Sequence, residues 1–167
     1  GLGDVYKRQD IHSMIGDYFA GHYDLEALTK KYGMQYNEAV IKSLYDNLET
    51  LKSELYRAHG KGAKIMSQFL VDANTNDGLK LVGSIDLIVV DEEGQPHLYL
   101  FKSSTKISND WDAAKASKYD YQLGFYRQML ASKGIPVRNM ELNIIPMKIE
   151  GLDEGPLTDV QFEAVQD

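Results

Sequence analysis

Residues 79–104 read LKLVGSIDLIVVDEEGQPHLYLFKSS, and this stretch decides the fold. Two apolar runs, Leu79–Val90 and His97–Ser103, flank the short acidic segment DEEG at residues 91–94. Apolar runs rich in β-branched and aromatic residues, separated by a short turn with a glycine, are typical of neighbouring antiparallel strands. The sequence therefore predicts a β-hairpin in the middle of the chain.

The segments before this hairpin predict helices and one further strand. Apolar residues recur three and four positions apart in three segments, which follow the possible helix caps Asp10, Asp24 and Asn37. The polar stretch NTNDG at residues 74–78 predicts a turn that joins the hairpin to an earlier strand at Lys64–Asp72. The first half of the chain is thus predicted to form three helices and the first strand of a sheet.

Beyond the hairpin the pattern predicts a helix over residues 112–132 and a last strand over residues 137–149. The order of three helices, three strands, a helix and a strand indicates the α/β class, with a mixed central sheet and extra N-terminal helices. The acidic tail at residues 151–167 is expected to be irregular.

The first nine residues, GLGDVYKRQ, lack an apolar period. They resemble the read-through runs at the ends of translated metagenomic contigs. We therefore expect residues 1–9 to be an artefact or a disordered leader outside the fold. A single domain is expected over residues 10–150, because a chain of 167 residues suits one core.

The composition excludes several classes of protein. The chain has no cysteine, which excludes a disulfide framework, a thiolate zinc site and a cysteine nucleophile. No apolar run approaches the roughly 20 residues of a membrane span, and none resembles a secretory signal, so we expect a cytoplasmic protein. The formal charge of −7 argues against a protein that coats nucleic acid with a basic surface. The acidic residues concentrate in the tail, so a local basic groove in the middle of the chain is compatible with this charge.

Two charged residues interrupt the apolar strands of the hairpin. Asp86 shares a strand face with Val82 and Ile88, where burial without a partner would cost several kcal/mol. Lys102 repeats the anomaly in the next strand. As hairpin neighbours, the two residues would place opposite charges at the same end of the sheet. For each residue alone the simpler interpretations are an aspartate bonded to the backbone or to Ser84, and a lysine that extends into water.

Three residues on the predicted helices also have more than one interpretation. His12 flanks the apolar stripe of the first helix, and a single histidine there is more often packed than a ligand. Gln122 and Tyr126 lie four positions apart on the last helix, so they point the same way. Taken alone, they are more simply a half-buried amide and a core aromatic residue.

Together, these residues resemble the PD-(D/E)XK nuclease superfamily and, within it, the RecB-like branch. The matching motifs come in the expected order: a helix with His12, GSID ending in Asp86, FKSS with Lys102, and QLGFY at residues 122–126. The resemblance spans residues 10–149 and implies a restriction-endonuclease-like core, which agrees with the predicted element order.

The resemblance implies a role for each of these residues in the hydrolysis of a phosphodiester. Asp86, His12 and the backbone carbonyl of Phe101 would ligate Mg²⁺ or Mn²⁺. Lys102 would orient or deprotonate the attacking water and offset the charge of the scissile phosphate. The residues implied to hold the DNA strand or to brace Lys102 are Gln68, Ser103, Ser104, Gln122 and Tyr126.

The sequence departs from the family pattern at the third motif. The family has Asp or Glu two residues before the lysine, but this chain has Leu100, whose side chain offers no lone pair to a metal. Gln68 stands where many relatives have Glu, and its amide oxygen is a neutral substitute. Asp72 is a candidate replacement carboxylate, whereas Glu92 and Glu93 fall in the wrong turn. We therefore expect a metal site that is weakened or inactive.

Three functions fit these observations. The first is an exonuclease-like, metal-dependent DNA nuclease impaired by Leu100, with a helicase or another recombination, repair or phage protein as partner. The second is an inactive nuclease-fold module that binds DNA or a protein. The third is an α/β interaction domain in which Asp86 and Lys102 form a salt bridge. It ranks last because buried ion pairs stabilise a fold poorly. No membrane partner is expected.

Overall fold

The computed structural model describes residues 2–21, 24–74, 77–78, 80–103, 113–137, 140, 142–152 and 155–163, with only the backbone described at residues 2, 69–74, 80–83 and 113–122. None of the described helices is both long and apolar enough to cross a membrane. In chain order the described elements are α1 (Leu2–Phe19), α2 (Leu25–Tyr32), α3 (Glu38–His59), β1 (Lys64–Asn74), β2 (Lys80–Val90), β3 (Pro96–Ser103), α4 (Ala113–Ser132), β4 (Leu142–Glu150) and β5 (Asp159–Phe162).

The strands form one mixed sheet in the order β1-β2-β3-β4-β5. Strands β3 and β4 are parallel, and the other neighbouring pairs are antiparallel. Parallel neighbours need a crossover connection, and α4 lies between β3 and β4 in the chain. The predicted α/β class, with a mixed sheet and extra N-terminal helices, is confirmed and is consistent with a restriction-endonuclease-like core.

Two of the predicted helix caps are present. The side chain of Asp24 accepts a hydrogen bond from the backbone amide of Ala27 at the start of α2. Asn37 accepts in the same way from Ala39 at the start of α3. Each side chain satisfies an amide that the first turn of a helix leaves without a partner.

Apolar side chains form two cores on opposite faces of the sheet. The larger core lies against α1, α2 and α3 and includes Tyr99 and Phe101 of β3. The smaller core lies against α4 and includes Leu98 and Leu100 of the same strand. Because side chains alternate along a strand, Lys102 extends on the same face of β3 as Leu98 and Leu100.

Strand β2 separates from β3 near Asp86. The pairing between them ends at Leu87 opposite Tyr99, whereas β3 continues along β4 to Ser103. Leu87 belongs to the larger core and Ile85 to the smaller one. The regular alternation of a strand, which would place these two residues on one face, is therefore interrupted at Asp86. The separation leaves an opening at one end of the sheet.

The start of the first helix differs from the prediction. Helix α1 begins at Leu2, and Asp10 lies within it rather than at its cap. The Asp10 carboxylate accepts a hydrogen bond of 2.5 Å from the hydroxyl of Tyr36. Lys7 donates to the carbonyl oxygen of Gly151 at 2.9 Å. Residues 2–9 are thus helical and contact the fold, whereas we expected a disordered leader; that residues 1–9 are an artefact stays a prediction.

The end of the domain also differs from the prediction. Strand β5 pairs with β4, and Val160 is buried in the larger core. Leu157 is buried in the same core, and Leu152 is buried as well. The expectation that the tail from residue 151 is irregular is therefore wrong, because its described part contributes a strand and core residues.

Candidate active site

A cleft of about 810 Å³ opens where β2 and β3 separate. Elements from both faces of the sheet contribute to its walls. His12 reaches it from α1, Asp86 from β2 and Lys102 from β3. An imidazole, a carboxylate and an ammonium group that are far apart in sequence therefore meet at one cleft. Of the other predicted residues, those that line it are Gln68, Leu100, Phe101, Ser103 and Tyr126.

Asp86 uses both carboxylate oxygens in this cleft. Its Oδ1 atom lies 3.0 Å from Nδ1 of His12, and its Oδ2 atom accepts a 2.8 Å hydrogen bond from the backbone amide of Phe101. The amide needs this acceptor because β2 has already separated from β3 and offers no ladder carbonyl. The Asp86 side chain is only 22% exposed, so these contacts offset the cost of burying its charge.

Lys102 does not serve as the ion-pair partner of Asp86. Among the described residues, His12 is the ion-pair partner whose nitrogen lies within 4.0 Å of the Asp86 carboxylate. The salt bridge between Asp86 and Lys102 in the third hypothesis is therefore not present among the described residues. Lys102 is exposed, and its ammonium group is available to an anion in the cleft.

Leu100 is part of the smaller core as well as of the cleft wall. It is 3% exposed and packs in the cluster that includes Ile85, Ile88 and Tyr126. At this position the cleft has hydrocarbon instead of an oxygen ligand. Within the described part of the chain, no three histidine, aspartate or glutamate side chains are grouped so that they could hold a metal ion.

The His12–Asp86 pair offers an imidazole nitrogen and a carboxylate oxygen, which are atoms of the kind that ligate divalent cations. The distance between His12 Nδ1 and Asp86 Oδ1 is 3.0 Å, which is the length of a hydrogen bond. Both side chains are partly open to solvent, at 34% and 22% exposure. Such a cation would be balanced by one carboxylate, since Leu100 supplies none.

Gln68 lies across from Asp86 in the β1–β2 register. Ser67 pairs with Leu87 and Phe69 with Ile85, but Gln68 and Asp86 between them are not paired. The φ angle of Gln68 is 51°, which is rare for a residue with a side chain. Gln68 is among the residues that line the cleft, as its predicted position beside the site requires.

Tyr126 anchors α4 to the strand that carries Asp86. Its hydroxyl donates a 2.9 Å hydrogen bond to the carbonyl oxygen of Ser84, and its ring is buried in the smaller core. The role implied for Tyr126, to hold the DNA strand or to brace Lys102, stays a prediction. The Gln122 side chain and Ser104 lie outside the described part of the chain.

Arg8 lines the cleft although the sequence analysis left it out of the fold. Its position four residues before His12 places the two on the same face of α1. The spacing of four residues could have indicated that Arg8 faces the site. Arg8 falls, however, within the residues 1–9 that were expected to be a leader.

A second polar cluster, which the sequence analysis did not predict, lies near the turn of the β2–β3 hairpin, away from the cleft. The rings of His59 and His97 have centroids 4.1 Å apart. Nε2 of His97 lies 2.8 Å from Asp91 Oδ2, and Nε2 of His59 lies 2.6 Å from the hydroxyl of Tyr99. Burial lowers the pKa of His59, and the nearby His97 lowers it further. Burial raises the pKa of Tyr99 to about 12.

Comparison with known proteins agrees with the fold. The family model of the PD-(D/E)XK nuclease superfamily matches residues 11–166, which include all five strands. No curated protein is significantly similar to this sequence. The match covers nearly the whole chain, so the chain belongs to the PD-(D/E)XK nuclease superfamily.

Proposed function

We propose that this protein is a metal-dependent DNA nuclease of the RecB-like branch, exonuclease-like in action and weakened by Leu100. The observation that carries the proposal is the meeting of His12, Asp86 and Lys102 in one cleft, next to a leucine where the family has a carboxylate. Its substrate would be DNA in the cytoplasm. Its partner would be a helicase or another recombination, repair or phage protein.

The cation would be held by Asp86, His12 and the backbone carbonyl of Phe101. Mg²⁺ prefers oxygen ligands, and the imidazole of His12 favours Mn²⁺ more strongly. A bound divalent cation supplies Lewis-acid chemistry, because it polarises a phosphoryl oxygen and makes a water molecule more acidic. The contact between Phe101 and Asp86 fixes one end of the carboxylate, so its other oxygen and the imidazole are held ready at 3.0 Å.

Lys102 would act on the phosphate and on the attacking water. Its exposed ammonium group would offset the charge that builds up on the scissile phosphate, and it would orient the water. The residues proposed to hold the DNA strand or to brace Lys102 are Gln68, Ser103, Ser104, Gln122 and Tyr126.

Leu100 would weaken the site by electrostatics. One carboxylate leaves a dication with a net positive charge and few protein ligands. His12, Asp86 and the Phe101 carbonyl would hold a divalent cation less tightly than a site with two carboxylates would. We therefore expect slow cleavage that needs high Mn²⁺ concentrations.

Restoring a carboxylate at position 100 tests the proposal. The variants Leu100→Asp and Leu100→Asn have side chains of nearly the same shape, and only the first adds a charge. Each would be incubated with end-labelled linear DNA and with circular DNA, in Mn²⁺, in Mg²⁺ and in chelator. Circular dichroism and thermal unfolding would establish that both variants are folded.

We expect Leu100→Asp to cleave linear DNA at least tenfold faster than the original chain, and Leu100→Asn to show no gain. Addition of Lys102→Met to the active variant should remove the gain. Two outcomes would contradict the proposal: equal rates for the Asp and Asn variants when both are folded, or cleavage that continues in chelator.

The alternative is an inactive nuclease-fold module that binds DNA or a protein. The burial of Leu100 in the smaller core favours it, because the residue that replaces the family's ligand contributes to packing instead. This alternative predicts DNA binding that weakens with salt and is unchanged by chelator. Binding that disappears in chelator would exclude it.

A further inference from the structure

The contact between Gly16 of α1 and Gln68 of β1 joins the two elements that flank the His12–Asp86 pair. An added Cβ on Gly16 would lie 2.3 Å from Cδ and Nε2 of Gln68, so the carboxamide occupies the space that a side chain would take. Next to it, the hydroxyl of Ser67 donates a 2.8 Å hydrogen bond to the carbonyl oxygen of Gly16. Helix α1 and strand β1 are thus in close contact at Gly16 and Gln68.

Gln68 is also the point at which β1 leaves ordinary strand geometry. Among the described residues it is the one residue other than glycine with a positive φ, at 51°. Such a conformation is costly for a residue with a Cβ and persists only where surrounding contacts hold it. Among the described residues, Gly16 is one that lies close against the Gln68 carboxamide.

The distortion of Gln68 lies opposite Asp86. Ladder pairs occur on both sides, at Ser67↔Leu87 and Phe69↔Ile85, and are missing at the position between them. His12 is on the same face of α1 as Gly16, one helical turn earlier. Helix α1, which contacts Gln68 through Gly16, therefore also places the imidazole of His12 beside Asp86.

We propose that Gly16 positions the His12–Asp86 pair by giving the carboxamide of Gln68 a slot on α1. The filled slot holds Gln68 at positive φ and keeps position 86 out of the ladder. The Asp86 carboxylate is then directed to His12 and to the amide of Phe101. Gly16 and Gln68 are positioning residues in this proposal, which rests on the proposed function only for the chemical use of the pair.

Four variants of the full chain test this coupling. Gly16→Ala fills the slot. Gln68→Gly removes the carboxamide and accepts a positive φ without strain. In the double variant Gly16→Ala with Gln68→Gly, the added methyl group no longer meets a carboxamide. The matched control is Gly124→Ala in the middle of α4, where an added Cβ meets no atom within 4 Å.

The readout is nuclear magnetic resonance without metal, so it does not depend on nuclease activity. The exchange rate of the Phe101 amide proton reports its bond to Asp86, and the imidazole nitrogen shifts of His12 report the other contact. We expect Gly16→Ala to speed the exchange of the Phe101 amide by about tenfold and to move the His12 signals. The double variant should behave like Gln68→Gly alone, and Gly124→Ala like the original chain.

Two results would overturn the proposal. In the first, Gly16→Ala leaves the Phe101 amide and the His12 signals unchanged, which would mean that the carboxamide moves aside without effect. In the second, the effects of Gly16→Ala and Gln68→Gly simply add in the double variant, which would mean that Gly16 does not act through Gln68.

A parallel measurement separates this inference from the proposed function. Mn²⁺ affinity, measured by electron paramagnetic resonance, should fall about tenfold in Gly16→Ala and follow the same non-additive pattern. If the original chain binds no Mn²⁺ at all, the proposed nuclease function fails, while the resonance data still decide whether Gly16 positions the pair.

Discussion

The backbone amide of Phe101 donates a 2.8 Å hydrogen bond to Oδ2 of Asp86, just beyond the last pair of the β2–β3 ladder. A side-chain oxygen thus takes the place of a strand carbonyl. The other oxygen of the same carboxylate faces His12. The residue proposed to hold a cation therefore also completes the hydrogen bonding of the sheet where the strands separate.

Replacement of Asp86 should separate its structural and chemical roles. In Asp86→Ala the buried amide of Phe101 loses its acceptor, so we expect the free energy of unfolding to fall by about 1–3 kcal/mol. Asp86→Asn retains an oxygen acceptor and should lose clearly less. Both variants should lose Mn²⁺ binding. Urea unfolding and a Mn²⁺ titration measure the two effects. Equal losses of stability in the two variants would show that the Phe101 contact contributes nothing.

Removal of the Lys102 charge should affect DNA but not folding. Lys102 is exposed, so Lys102→Met should change the free energy of unfolding by no more than about 0.5 kcal/mol. It should weaken DNA binding and reduce the dependence of the binding constant on salt concentration. Lys61→Met, another exposed lysine outside the cleft residues, is the matched control. The same loss of DNA binding in both variants would mean that overall charge, not the cleft, attracts the DNA.

The polar cluster near the hairpin turn predicts that stability depends on pH. The pKa of His59 is lowered from its ordinary value of 6.5 by burial and by His97. As the pH falls through 6.5, the unfolded chain takes up a proton at this position before the folded chain does. The free energy of unfolding should therefore decrease as the pH falls from 6.5 toward the lower pKa of the folded state. One proton allows a slope of at most about 1.4 kcal/mol per pH unit.

His59→Gln is the variant that checks this prediction, because glutamine does not titrate. The difference in stability between the original chain and the variant should be constant above pH 6.5 and should change below it. Asp91 contributes to the pH dependence of stability in a separate, more acidic range. Its pKa is lowered by hydrogen bonds from His97 and from backbone amides, so the stability it adds is lost only near and below its ordinary value of 3.8. A pH-independent difference for His59→Gln would contradict the prediction.

The last strand should contribute measurably to folding. Val160 is 1% exposed in β5, so Val160→Ala should lower the free energy of unfolding by about 2 kcal/mol. Its neighbour Gln161 is exposed, and Gln161→Ala should have little effect. Thermal or urea unfolding of both variants gives the comparison. If Val160→Ala were as stable as the original chain, the packing of β5 on the larger core would be in doubt.

The sequence predicted the central elements well because long apolar patterns determine them. The hairpin over β2 and β3 and the helix α3 each have many residues with a clear period, and their observed bounds differ little from the prediction. Short or weakly patterned elements were missed. Strand β5 has only four residues, and the first turns of α1 carry exposed residues such as Val5 and Tyr6 instead of an apolar stripe.

The residues of the candidate site could be predicted from the sequence, but the contacts between them could not. Asp86 and Lys102 were conspicuous because each interrupts an apolar strand. The choice of His12 as the partner of Asp86 depends on where β2 leaves β3 and on how α1 lies over β1, which are tertiary features without a local signal. The conformation of Gln68 is of the same kind, since nothing in SQFLVD indicates a positive φ.

The double position of Leu100, in the cleft wall and in the smaller core, has an evolutionary consequence. A mutation from carboxylate to leucine at this position would remove a ligand and at the same time add an apolar group to the packing around α4. Reversion would have to give up that packing, so a lineage that had come to depend on it would need further substitutions in the smaller core before it could recover the ligand. Loss of function at this position would then be easier to acquire than to undo.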